Sequence, residues 1–234
     1  QRLSKSGVEL PAYTSFREEG WHKLSLPDKQ NIMFADFRRD PDQYPLKTPS
    51  GKIEIFSSTV ASFAYDDCLG HPAWFAPPEW LGAAEDTYPL HLLSNQPRTK
   101  LHSQLDQGPV AAAAKIKGRE EVQMHKDDAA ARGIEEGDII RLFNARGAIY
   151  VGVRITDQIR HGVVMVPTGA WLDLDKDDPE LCKHGNPNML APDRPTSKLA
   201  QGPAAHSCLV QAEAVDQTRL PEVTAFIPPV IEKG

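Results

Sequence analysis

The chain has little that would tie it to a membrane, to nucleic acid or to a disulfide framework. No apolar run in its 234 residues approaches the ~20 residues needed to cross a bilayer. Its three cysteines, Cys68, Cys182 and Cys208, are an odd number at wide spacing, which does not read as a disulfide scaffold. The net charge of −6 argues against a general nucleic-acid binder, whose footprint is basic. Any anionic ligand therefore has to be met by local cations and not by the overall field. A Gly-x-Ser-x-Gly elbow, an HExxH helix and a P-loop are absent, as are internal repeats and low-complexity tracts. Ser, His and Asp are scattered without singling out a triad, so no nucleophile or general base stands out. The pairs Cys68 with His71 and Cys182 with His184 would make a zinc site only by converging in space, and neither sits in a compact ligand module.

What the chain does have is proline, twenty residues of it, which points to many loops and few helices. Hydrophobic content of 40% and charged content of 25% are those of an ordinary globular protein. The length fits one or two domains and is enough to bury a core without disulfides. The chain starts at Gln1 and not at Met, and it reads as a piece of something longer.

Residues 1 to about 86 differ from the rest. Asp40-Pro41-Asp42-Gln43-Tyr44-Pro45 is turn chemistry, Pro49-Ser50-Gly51 reads as another turn, and Lys52 to Phe56 alternates as a half-buried strand does. The segment 71–82, broken by Pro72, Pro77 and Pro78, is expected to pack as an irregular arm. After a boundary at Ala83 to Thr87 the signals are mostly β: Leu90 to Ser94, Ile139 to Asn144, Ala148 to Ile155, Val163 to Pro167 and Cys208 to Ala214 are strand candidates. One short helix is expected, capped by Asp127, formed by Asp128 to Arg132 and ended by Gly133. This order fits a compact six-stranded barrel over 87–217, followed by an extended or disordered tail over 218–234.

The most informative stretch follows the first of these strands. Ser94-Asn95-Gln96-Pro97-Arg98-Thr99-Lys100-Leu101-His102-Ser103-Gln104-Leu105 offers amides, hydroxyls, a His and two cations in a short span. In extended backbone Arg98, Lys100, His102 and Gln104 fall on one face, a row of donors suited to phosphates and a base. A solvated cationic edge strand uses the same residues. Lys115-Ile116-Lys117-Gly118-Arg119-Glu120 alternates cations again, either to reinforce an anion site or as an exposed loop. Asn186-Pro187-Asn188 and Pro195-Thr196-Ser197-Lys198-Leu199-Ala200-Gln201-Gly202 are polar turns whose amides can donate and accept, or plain loops.

Taken together and in order, these motifs resemble a family. Thr48-Pro49-Ser50-Gly51-Lys52-Ile53-Glu54-Ile55, Gly70-His71-Pro72-Ala73-Trp74, Leu101-His102-Ser103-Gln104-Leu105, Asp127 to Ile134, Gly169-Ala170-Trp171, Gly185-Asn186-Pro187-Asn188 and Thr196 to Gly202 are similar to the C-terminal part of the molybdopterin oxidoreductases. The branch is that of the dimethyl sulfoxide, trimethylamine N-oxide and biotin sulfoxide reductases, and the Ser94-Asn95-Gln96-Pro97 form looks closest to the biotin or methionine sulfoxide reductases. The likeness covers about residues 35 to 215. It implies a mainly β chain with short helices, a double-psi β-barrel that binds a molybdopterin dinucleotide, preceded by an irregular α/β segment that closes an earlier domain. It implies a bis(molybdopterin guanine dinucleotide) molybdenum cofactor shared with N-terminal domains of the same enzyme. Ser94, Asn95, Gln96, Arg98, Lys100, His102, Ser103, Asn188, Lys198 and Gln201 would contact it, and Trp171 would sit on its funnel side. The protein ligand to the metal and much of the pocket for a small S-oxide or N-oxide would come from an earlier part of the polypeptide, so this chain alone is expected to be inactive.

Two departures stand out. Pro203-Ala204-Ala205-His206 replaces a Cys-Thr-Gly-Gln-like run, which leaves open whether His206 takes the place of the usual Gln contact. Leu172 stands where the family usually has Tyr. Bacterial periplasm and cytoplasm both stay open, because periplasmic proteins also carry free thiols. The competing readings are a double-psi barrel that binds another nucleotide or a protein partner, and a self-contained hydrolase or zinc enzyme.

Overall fold

Alternating apolar residues dictate the architecture. In β1 (Leu90–Leu93), Leu90 and Leu92 turn inward; in β2 (Glu121–His125), Val122 and Met124 do; in β3 (Ile139–Asn144), Ile140 and Leu142. In β4 (Gly147–Thr156) the inward set is Ile149, Val151 and Val153; in β5 (Val163–Met165) it is Val164; in β7 (Leu209–Ala214), Val210 and Ala212. These residues form one cluster, the barrel interior, as the period-2 geometry of strands requires. The computed structural model describes residues 10–24 and 32–227. What was expected of 1–9, 25–31 and 228–234 lies outside them.

The strands run in the order β2-β5-β1-β7-β3-β4, and β2 also pairs with β4, so the sheet closes on itself; the two-residue β6 (Leu181–Cys182) adds to β4. Closure removes the free edges that invite aggregation. β1 pairs with β5 in parallel, β2 with β4 in parallel, and the other barrel pairs are antiparallel. From these directions β1, β3 and β5 end where β2, β4 and β7 begin. That single end of the barrel collects the loops at 94–106, 115–120, 144–147, 166–180 and 190–208.

The five expected strands are present within two residues of their expected bounds. β2 was not anticipated, although Val122 and Met124 carry its signal, and neither was α4 (Pro109–Ala114), which Pro109 at its first turn and four alanines favour. The short helix is α5 (Lys126–Ala130), and its cap is His125 and not Asp127: the His125 Nδ1 accepts the Asp127 N–H. Lys52 to Phe56 is not a strand. Ile53 and Ile55 both lie exposed, and the segment is instead drawn back on its turn by Thr48 Oγ1 donating to the Lys52 carbonyl and by the Ser50 N–H donating to Glu54.

The chain divides into two compact units, Gln1–Ser57 and Ser58–Gly234. The first holds α1 (Tyr13–Glu19) and α2 (Ala35–Arg39), and none of its described residues is buried. The second holds α3 (Ser58–Ser62), a proline-rich arm without regular structure over 71–80, and the barrel. Glu79 fastens that arm. Its carboxylate takes two hydrogen bonds from Arg146, at 2.7 and 2.9 Å, and a third from the Leu209 N–H. A forked pair of this kind is strong and directional.

The hairpin that carries residues 115–120 turns at Lys117 and Gly118, with φ of 48° and 77°. Two successive positive φ values are what a two-residue type I′ turn needs. Ile116 and Arg119 exchange both backbone hydrogen bonds across it. The hairpin lies directly on Gly152 of β4, where an added Cβ would stand 2.2 Å from the Cβ of Ile116. Gly152→Ala is expected to destabilise the protein by about 1–3 kcal/mol through this overpacking, read as a lower urea midpoint; an unchanged midpoint would show that the hairpin is free to lift.

Candidate functional site

Beneath the common barrel end lies a buried charge cluster. Lys100 Nζ donates to Asp106 Oδ1 at 2.7 Å and to Glu120 Oε2 at 2.5 Å; Lys115 Nζ donates to the same two oxygens at 2.8 and 3.0 Å. The four side chains are at most 8% exposed. Two ammonium groups and two carboxylates cancel, which makes burial tolerable only while all four are present. Asp106 Oδ2 accepts the Trp171 N–H at 3.0 Å, and the Trp171 carbonyl accepts from Nδ1 of the fully buried His184 at 3.0 Å. A carbonyl cannot donate, so the Nδ1 of His184 carries the proton.

The electrostatics follow. Burial pushes the Asp106 carboxyl up, but bonds from Lys100, Lys115 and the Trp171 N–H outweigh it and hold the group below its usual range. Burial, reinforced by the nearby Lys115 charge, pushes the His184 imidazole below its usual value. The chain segment at 217–227 closes over this cluster. Arg119 donates to the Pro221 carbonyl, Thr224 donates twice to Asp173, and Phe226 sets its ring edge-on between Trp171, at 5.4 Å, and His184, at 5.0 Å.

The loop residues singled out in the sequence divide into three groups. At the ends of the parallel pair β1 and β5, Ser94 Oγ donates to the Val166 carbonyl and the Ser94 N–H to His206 Nδ1, both at 3.3 Å. The Asn95 carbonyl accepts the Thr168 N–H at 2.9 Å, and the Trp171 indole N–H donates to the Ser103 carbonyl at 2.8 Å. The carbonyl of His102 rests on Gly169, where a Cβ would stand 1.8 Å away and φ is 96°, so only glycine fits. Ser94, Asn95, His102, Ser103 and Trp171 therefore share one corner with Thr168, not singled out from sequence, and with His206, whose part as a contact the sequence left open. Gln96 and Arg98 are exposed near it, and among the described residues Arg98 makes no ion pair.

The second group lies farther along the same barrel end. Asn188 is exposed on a 3-10 turn (Pro187–Met189) capped by Asn186 and packed beside Gly147. Lys198 is tied to the segment that precedes the arm, its Nζ to Asp66 at 2.6 Å and its N–H to Asp67 at 2.9 Å, while Gln201 Nε2 bonds the Ser197 carbonyl. A groove of about 590 Å³ runs between the arm and this loop, lined among others by Phe75, Pro78, Arg194, Thr196 and His206. The third group is Lys100 alone. The extended row of Arg98, Lys100, His102 and Gln104 does not form, because the backbone turns at His102 (φ 51°) and Leu105 (φ 64°). Lys100 instead points into the charge cluster, already neutralised by carboxylates.

Two polar atoms of the first corner, Asn95 Oδ1 and Thr168 Oγ1, are buried without a hydrogen-bond partner. Such an atom costs about 1–3 kcal/mol unless water or a group outside this chain satisfies it. With a groove, an exposed arginine and these unpartnered groups at one barrel end, the residues fit an elongated ligand that carries both phosphates and a polar heterocycle.

A closed six-stranded barrel with parallel and antiparallel pairs, and a polar site at the ends of its parallel strands, is a double-psi β-barrel of the cofactor-binding class. Residues 90–209 match the model of the Molydopterin dinucleotide binding domain, and the chain belongs to that family. It is 44% identical over 207 residues to biotin sulfoxide reductase of Cereibacter sphaeroides, 44% over 229 residues to trimethylamine-N-oxide reductase 1 of Escherichia coli O157:H7, and 40% over 226 residues to dimethyl sulfoxide/trimethylamine N-oxide reductase of Rhodobacter capsulatus. These alignments take in 88–96% of this chain but 27% of each relative. Among solved structures, acetylene hydratase from Pelobacter acetylenicus superposes with a TM-score of 0.62 over 91% of this chain and 28% of its own, at 18% identity, a likeness of fold.

Two outcomes test the cluster. Lys100→Met is expected to cost about 3–5 kcal/mol, since it strands a buried carboxylate, with part of that loss recovered by adding Glu120→Gln; a surface-like loss below about 1 kcal/mol in urea unfolding would contradict the burial. As pH falls below 6.5, the unfolded chain takes up a proton that folded His184 refuses, so stability declines with falling pH. A further decline sets in below about 3.8, where the unfolded chain protonates a carboxyl that folded Asp106 keeps ionised. His184→Gln should flatten the first of these slopes.

Proposed function

We propose that this chain is the cofactor-binding C-terminal portion of a larger molybdenum enzyme that reduces S-oxides or N-oxides. The observation that carries the reading is the family match over the barrel, in a chain whose relatives are S-oxide and N-oxide reductases more than three times as long. The cofactor is bis(molybdopterin guanine dinucleotide) molybdenum, held between this barrel and the preceding domains. When bound, it supplies the oxygen-atom transfer, while protein groups bind and orient it. Ser94, Asn95, Gln96, His102 and Ser103 line the corner that receives it, with Arg98 as the uncommitted cation for a phosphate. Trp171 is fixed at its backbone by Asp106 and at its indole by Ser103, and so presents its outer face to the cofactor side. Asn188, Lys198 and Gln201 extend the contact along the barrel end. Lys100 serves by neutralising Asp106 and Glu120 beneath the loop.

The metal's protein ligand and the substrate pocket belong to the preceding domains, so the 234-residue chain alone is inactive. The exposed Tyr13, Trp21, Ile53 and Ile55 in a unit without buried described residues support a partner surface of this kind. The deciding experiment compares the polypeptide that carries this chain with its preceding domains, expressed with molybdate, against the chain alone. The expected result is molybdenum with about two guanine nucleotides per longer polypeptide and no reductase activity from the short chain. A longer polypeptide free of molybdenum would mean that the barrel serves another ligand.

A further inference from the structure

His184 is a buried titratable group that none of the proposed cofactor contacts uses. It follows β6 and is fully buried. Its Nδ1 donates to the Trp171 carbonyl, so Nε2 carries the lone pair, and that atom is buried with no hydrogen-bond partner. The charges around the ring come from every segment packed on it. Asp106, on the loop after β1, lies 3.8 Å from Nδ1; Lys115 and Glu120 stand on the hairpin before β2, and Lys100 completes their cluster. The neighbouring Lys183 is paired with Asp173 at 3.3 Å. These charges already cancel in pairs. In segment 217–227, Arg219 and Glu222 are exposed, and what the segment sets against the imidazole is the perpendicular ring of Phe226 at 5.0 Å. That cover is light. Phe226 is itself 37% exposed, so one ring separates the imidazole from water on this side. No residue of 217–227 is buried and none lies in a helix or strand. The segment is held by Arg119 on the Pro221 carbonyl, at 2.6 Å, and by Thr224 on Asp173, at 2.6 and 2.7 Å. Past Thr224, a turn closed by the Ile227 N–H on the Thr224 carbonyl carries Phe226. An element with so little burial opens at low cost.

With Phe226 seated, a proton on Nε2 would be a buried charge without an acceptor, close to the Lys115 ammonium. Burial and that ammonium hold the imidazole below its ordinary value. With Phe226 lifted, water accepts from Nε2 while Nδ1 keeps the Trp171 carbonyl. The uncovered state therefore binds the proton more readily, and falling pH favours it. Asp173 does not give way in the same range. Burial pushes its carboxyl up, but bonds from Thr224 and Lys183 outweigh that and hold it below its usual range, so the Thr224 anchor stays in place as the hinge. We propose that residues 225–227 form an acid-released latch: neutral His184 keeps Phe226 seated, and a proton arriving at Nε2 lifts the ring about Thr224. Phe226 also braces the Trp171 ring at 5.4 Å, and that support is lost when the latch opens. The device belongs to the barrel itself and does not depend on which ligand the barrel binds.

The test uses the longer polypeptide that carries this chain with its preceding domains. Amide hydrogen exchange of the peptide that contains Phe226 and Ile227 is followed by mass spectrometry at about pH 5.5 and about pH 7.5, on either side of the ordinary histidine value. After correction for the intrinsic pH dependence of exchange, wild type is expected to exchange there about three- to tenfold faster at the lower pH, the range open to one imidazole that titrates only when uncovered. His184→Gln, whose amide still donates to the Trp171 carbonyl, should remove the difference, and Phe226→Ala should exchange fast at both values. Diethyl pyrocarbonate, which attacks the free lone pair of a neutral imidazole, gives a reading that needs no change at His184. At the higher pH it should modify His184 slowly in wild type and at least several-fold faster in Phe226→Ala. Equal protection of the peptide at both pH values in wild type would overturn the proposal. So would a pH dependence that persists in His184→Gln, or equal rates of His184 modification with and without the Phe226 ring.

Discussion

Lys100, Lys115, Asp106 and Glu120 occupy one buried site, and most of the barrel end is arranged around keeping them together. Each charge taken from water costs several kcal/mol, and only full mutual pairing offsets that. The four residues come from the loop after β1 and from the hairpin before β2, so their pairing fixes those two segments to each other. Asp106 then uses its second oxygen to hold the Trp171 backbone, which brings in the loop after β5. Gly152 makes the arrangement possible from below by letting the hairpin lie flat on β4. The polar corner at Ser94, Asn95 and Thr168 is thus built on a floor that is electrically neutral and rigid.

That division of labour separates structural charge from charge available to a ligand. Lys100 and Lys115 are fully committed inward and Lys198 is paired with Asp66 ahead of the arm, whereas Arg98 stays exposed. The arm is in turn locked by Glu79 and Arg146, and it forms one wall of the groove that ends at His206. Among the described residues at this end, Arg98 makes no ion pair, and Asn95 Oδ1, Thr168 Oγ1, Arg119 Nε and His184 Nε2 are buried atoms without a hydrogen-bond partner.

Much of the fold was legible because a half-buried strand writes its own pattern. Ile139 to Asn144 and Ala148 to Ile155 alternate strongly and are bounded by Gly-Asp and Arg-Gly turns. β2 is short and opens on Glu121, directly after a run of alternating cations, which masked Val122 and Met124. Lys52 to Phe56 has the alternation without a partner strand, so the local pattern misled. In the site, the motifs named loops that meet at one barrel end, but the extended backbone expected over 98–104 does not form, and Lys100 turns inward to Asp106 and Glu120. The left-handed turns at His102 and Leu105 carry no glycine signal and could not be read in advance.

The sequence by itself determined five of the six barrel strands, the loops that bear polar side chains and the family to which the chain belongs. These depend on periodicity and motif order, which are local properties that survive without coordinates. The tertiary structure alone decided which cations are neutralised and which are available, and that Thr168, 73 positions beyond Asn95, stands beside it. The reason is that pairing and burial arise only when β1 and β5 lie in parallel register, and no spacing along the chain encodes which side chain will then be left without a partner.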